Sequence, residues 1–99
     1  MDKKGLLTLN YLDKQRKLNY ITVGKDLLVI TSGQSSKIGY MKDHDKVELA
    51  FGEEVIHAKP KIIVDKKEVK ELFDFMTKED NNHFKAYNEI FVAVKFQLK

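Results

Sequence analysis

Thr31, Ser32, Ser35 and Ser36 place four hydroxyls within six residues, with Gly33 among them and Lys37 directly after. They follow the apolar run Leu27-Leu28-Val29-Ile30, which has the composition of a buried strand. A strand that ends in glycine and hydroxyls and then opens a helix can cradle a phosphate. Ser35 or Ser36 can cap that helix, and the amides of its first turn then face outward toward an anion. Lys37 adds a full positive charge beside them.

The flanking elements bear on which other cations reach this group. Leu6–Asn10 reads as a short strand, Asp13–Arg16 as a polar turn, and Lys17–Val23 as a strand rich in Tyr, Ile, Thr and Val. Gly24-Lys25 separates it from Asp26–Thr31, the spacing of a two-residue hairpin. Val23 should then oppose Asp26, and counting outward sets Thr31 opposite Leu18. Lys17 falls just beyond, at the same end of the sheet as the hydroxyls.

Ser36 to about His44 reads as a short helix with Ile38 and Met41 on one face, weakened by Gly39. Lys46–Phe51 is a strand with Val47, Leu49 and Phe51 alternating inward. Gly52–Glu54 is a turn, and Val55–Val64 is a strand with an edge or bulge at Pro60. Asp65 and Glu68 have capping-box spacing, and Val69, Leu72, Phe73 and Met76 form one apolar stripe of a helix that ends at Glu79–Asn82. Ile90–Leu98 is a closing strand with Ile90, Val92, Val94, Phe96 and Leu98 on one face. Six short strands in 99 residues predict a compact antiparallel sheet curled into a barrel, since closure removes exposed edges.

Composition excludes several classes of function. Hydrophobic content of 42% predicts a folded chain, here one domain over residues 1–99, and the absence of cysteine rules out disulfides and thiolate metal sites. The net charge of +3 comes from lysines spread along the chain, not from a basic stripe with interleaved aromatics, which argues against nucleic acid as a partner. No apolar run suits a membrane helix or a signal peptide, so the expectation is a cytoplasmic protein. His44, His57 and His83 have no metal-ligand spacing, so no metal site is expected. There is no G-x-S-x-G nucleophile signature and no G-x-x-x-x-G-K phosphate loop, and catalytic residues stay unassigned.

The segment Leu27–Phe51, LLVITSGQSSKIGYMKDHDKVELAF, resembles the pyridoxamine 5'-phosphate oxidase-like flavin-binding proteins. The matching parts are Thr31-Ser32-Gly33, the Ser35-Ser36-Lys37 step, the helix to His44 and the Val47–Phe51 strand. Leu6–Asn10 looks like that family's first strand. Val55–Lys59 through Ile63–Asp65 looks like its strand running into a helix. The resemblance covers most of residues 5–78. It implies an all-β fold, a six-stranded antiparallel split β-barrel of Greek-key type with two short helices. It also implies a homodimer with flavin mononucleotide (FMN) at the subunit interface.

Carried across position by position, Thr31, Ser32, Ser35 and Lys37 look like the residues that hold the FMN phosphate. Lys17 sits where the family often has an arginine. The backbone at Asn19, Tyr20 and Ile21 looks like the edge that meets the isoalloxazine ring, and Tyr20, Phe84 and Tyr87 are aromatics available to pack on it. The chain departs from the family pattern too. Ser36 stands where many members have arginine, which removes a bidentate phosphate ligand. The N-terminal helix and the C-terminal substrate-binding extension have no counterpart, so the oxidase reaction itself is not implied. The implied function is a small FMN-dependent oxidoreductase acting on an unknown small molecule. The alternatives are a cofactor-free split-barrel dimer acting as a binding or regulatory module, and the same fold holding a deazaflavin or haem.

Overall fold

The computed structural model describes residues 3–79, 81–82 and 84–98. Six strands and two helices follow in the order β1 (Lys4–Tyr11), β2 (Lys14–Val23), β3 (Asp26–Ser32), α1 (Ser36–Lys42), β4 (Val47–Phe51), β5 (Glu54–Ile63), α2 (Lys66–Lys78) and β6 (Phe91–Gln97). The strands close into an antiparallel barrel in the order β1-β2-β3-β6-β5-β4.

The hairpins follow from local chemistry. Gly24 and Gly52 both sit at φ +62°, where a side chain is strained, and each opens a two-residue turn that pairs Val23 with Asp26 and Phe51 with Glu54. The first hairpin differs from the sequence expectation. The turn is Leu12-Asp13, not Asp13–Arg16, and β2 already begins at Lys14, opposite Tyr11. Leu12 takes φ 54° without being glycine, and its side chain is exposed.

The barrel is sealed unevenly. Between β2 and β3 the ladder holds only Val23 with Asp26, Thr22 with Leu27 and Ile21 with Leu28. The expected pairing of Thr31 with Leu18 does not form; Thr31 pairs instead with Val92 of β6. β3 is held along its whole length by β6 on one edge, while on the other edge its pairing with β2 stops at Leu28. Pro60 falls where its missing N–H is cheapest. The β5 ladder to β4 ends at Ala58, and from Lys59 onward β5 pairs with β6.

Two apolar layers share the wall. The inward side chains of β1, β3, β4 and β6, among them Leu7, Leu9, Val29, Leu49, Val94 and Phe96, fill the barrel. The outward side chains of the β3–β6 region, Leu28, Ile30, Phe91 and Ala93, form a second core under Val69, Phe73 and Met76 of α2. The sequence reading assigned one apolar face to the closing strand, whereas Phe91–Val94 are buried on both. Asp65 Oδ2 accepts from the Glu68 amide at 3.1 Å and starts α2 as its spacing predicts. α1 stops at Lys42, two residues early, because the Asp43 amide turns back to Tyr40 O in a tight closing turn. Among the described residues, no helix is long and apolar enough to cross a membrane.

Candidate functional site

The end of the barrel where β3 gives way to α1 gathers hydroxyls and cations from three elements. From the β3–α1 turn, Ser35 caps α1, accepting from the Lys37 amide at 3.4 Å and from the Lys37 ammonium at 2.9 Å. Ser32 Oγ accepts from the Gln34 amide at 3.2 Å. From β1, Tyr11 crosses the barrel end, and its hydroxyl lies 3.1 Å from Ser36 Oγ. From β2, Arg16 pairs with Leu9 and so shares the inward face of the wall. Its guanidinium is close enough to Lys37 to repel that charge.

Lys37 is the unusual group. It is only 9% exposed, yet no carboxylate of the described residues forms an ion pair with it. Burial pushes its pKa below the ordinary lysine value; the Tyr11 phenol works against that shift and Arg16 adds to it. A sequestered ammonium held by a neutral hydroxyl, with a second cation near it and no carboxylate of the described residues paired with it, is left with uncompensated positive charge. That is the complement of a phosphate.

Gly33 sets the path of the turn. Its amide donates to Ile90 O at 2.7 Å, and a Cβ there would meet that oxygen at 2.9 Å and Val92 Cγ1 at 3.0 Å. Backbone on one side leaves little room to give. Gly33→Ala is expected to cost about 1–3 kcal/mol in a urea melt. A variant as stable as the parent would show that the Ile90 segment yields freely.

The residues singled out from sequence fall into three groups. Ser32 ends β3, Ser35 caps α1 and Lys37 lies in its first turn, while Thr31, 4% exposed, is on the inward face of β3 in register with Val92. Lys17 and Arg16 are both exposed; Lys17 lies on the outward face opposite Thr8, and Arg16, in register with Leu9, donates to Gln15 O at 3.1 Å. Asn19, Tyr20 and Ile21 lie where the β2–β3 ladder stops. There Asn19 Nδ2 donates to Asn81 Oδ1 at 3.3 Å, and Asn81 Nδ2 donates to Tyr20 O at 2.7 Å. The Tyr20 ring is buried edge-on to Phe51, with centroids 5.4 Å apart, and the Ile21 side chain belongs to the α2 core.

Phe84 and Tyr87 pack on Phe91, at 4.3 and 6.1 Å, under α2. His44 is anchored to Tyr40 O at 2.7 Å and stacked on the Tyr40 ring; His57 is exposed, and His83 lies outside the described residues. Among the described residues there is no cluster of three or more metal-ligating side chains. Sequence reasoning missed Tyr11 and Arg16. The signal for both was the parity of the first hairpin, which turns at Leu12-Asp13.

No protein-family model and no curated protein matches the chain. Among solved structures it is similar to a Listeria innocua protein named "putative pyridoxamine 5'-phosphate oxidase". The TM-score is 0.70 at 16% identity, over 99% of this chain and 85% of that one. At that identity the likeness establishes the fold, a closed six-stranded antiparallel barrel of the split-barrel kind with two short helices.

Proposed function

We propose that the chain is a small FMN-binding flavoprotein, working as a homodimer and as an oxidoreductase on a small substrate. The observation that carries this reading is the Lys37 ammonium, buried against the Ser35 hydroxyl with no carboxylate of the described residues to neutralise it. The residues fit the phosphate end of FMN. Lys37 and Arg16 would supply charge, and Thr31, Ser32 and Ser35 would supply neutral donors. The β2 edge at Asn19–Ile21, where the ladder to β3 ends, would lie beside the ring. Bound FMN supplies hydride chemistry, while the chain binds and orients it and limits the access of water. The split-barrel likeness to a protein named for a phosphate-bearing substrate supports the same reading.

One observation favours a second reading, a cofactor-free barrel acting as a binding module. Lys37 already donates to its own cap, Ser35, and so has a hydrogen-bond partner within the chain. Titration of the purified protein with FMN separates the two. The flavoprotein reading expects quenched flavin fluorescence and absorbance bands that survive desalting. Protein that stays colourless and leaves FMN fluorescence unchanged would overturn it in favour of the second.

A further inference from the structure

We infer that Tyr11 is a positioning residue for phosphate recognition, acting through Ser36 as a neutral hydroxyl relay. This rests on the flavoprotein reading above. Tyr11 is 2% exposed, and its ring is fixed against Tyr40 at a centroid separation of 5.3 Å. The phenol therefore has few directions in which to point, and its hydroxyl meets Ser36 Oγ at 3.1 Å. Either oxygen can donate. A phenol is the more acidic of the two hydroxyls and the better donor, so the relay has it giving its proton to Ser36 Oγ.

That direction has a consequence for Ser36. With a lone pair engaged by Tyr11, the Ser36 O–H is turned outward and free to donate. The neighbouring residues Ser35 and Lys37 carry the ammonium-to-hydroxyl bond at 2.9 Å. In a chain of two hydrogen bonds each polarises the next, so the serine donates more strongly than an isolated hydroxyl. The relay adds no charge beside Lys37, which Arg16 already repels and which no carboxylate of the described residues pairs with. A third cation at position 36 would deepen that repulsion, whereas a directed hydroxyl does not.

The inference separates phosphate from ring. Tyr11→Phe removes one oxygen and keeps the aromatic packing. It is expected to weaken FMN binding roughly two- to tenfold, the scale of one neutral hydrogen bond, while leaving riboflavin binding within about twofold. Ser36→Ala should match it. In the double variant the second change should add nothing, because both remove the same relay. Fluorescence titrations with FMN and with riboflavin give the four values, and thermal melts of each variant confirm that it is folded.

Equal losses for FMN and riboflavin would mean that Tyr11 is purely structural. Additive losses in the double variant would mean that the two hydroxyls act separately. Unchanged FMN affinity in Tyr11→Phe would mean no role. Each of these overturns the relay while leaving the flavoprotein reading intact. Failure of the parent protein to bind FMN at all removes that reading, and the relay with it.

Discussion

Lys37→Met should raise the melting temperature of the protein and at the same time weaken FMN binding by about 10- to 100-fold. One side chain produces both effects because it is a buried cation with hydroxyls for company. In the ligand-free chain the ammonium carries a desolvation cost that Ser35 offsets only in part. A methionine of similar length fills the same space without it, and replacing buried charge by apolar volume gains about 1 kcal/mol or more in favourable cases. For a domain of this size that is a rise of roughly 4–8 °C. Binding moves the other way, since a charge-assisted hydrogen bond to phosphate contributes about 1.5–3 kcal/mol. A variant that loses stability, or that binds FMN as well as the parent, would refute the assignment of Lys37.

The same group fixes a pH dependence. The folded chain holds the Lys37 proton less tightly than the unfolded chain does, because its pKa is lowered from 10.5. Below the folded value the penalty is present in full. As pH rises from the folded value toward 10.5 the folded side chain gives up its proton first, and stability increases. Comparing parent with Lys37→Met across that window isolates this contribution from other titrating groups. The parent should gain on the variant as the pH climbs, and a constant gap would mean that the lysine is not penalised by burial.

What could be read from the sequence divides according to how local its cause is. The Val23–Asp26 hairpin was legible because Gly24 and two residues of spacing determine it. The start of α2 was legible because Asp65 and the Val69–Met76 stripe lie within a few turns of each other. The hydroxyl turn at 31–37 was legible because its residues are adjacent. Arg16 and Tyr11 were not, because their roles depend on register. In a strand each step of one residue exchanges the two faces. Reading the first turn as Asp13–Arg16 hid Arg16 in a loop and promoted Lys17. The turn at Leu12-Asp13, with Leu12 in a conformation that glycine or asparagine usually takes, extends β2 back to Lys14 and brings Arg16 into the wall in register with Leu9. The double burial of β6 was likewise invisible along the strand, since it comes from α2 folding over Phe91 and Ala93 while the barrel closes over Val92 and Val94.

Phe96→Ala is expected to give the largest loss of stability, about 3–5 kcal/mol, and to leave flavin affinity nearly untouched in the protein that remains folded. Phe96 is fully buried in the barrel, in register with Leu27 on one side and Pro60 on the other. Truncation leaves a void that a closed wall collapses poorly into, because its strands are held by neighbours on both sides. Pro60 cannot shift to form a new ladder bond, and Leu27 is fixed between β2 and β6. In a chain whose total stability is of order 5–15 kcal/mol, the melting temperature should fall by roughly 15 °C or more. Phe96 sits near the start of β3, however, while Ser35 and Lys37 follow its end, so the cradle keeps its geometry. FMN affinity measured well below the transition should stay within about twofold of the parent. Lys37→Met is expected to do the reverse, gaining stability and losing ligand. If Phe96→Ala instead lost affinity in step with stability, barrel packing and anion site would be one cooperative unit, and the anion site could not be assigned to the β3–α1 turn and its two flanking strands alone.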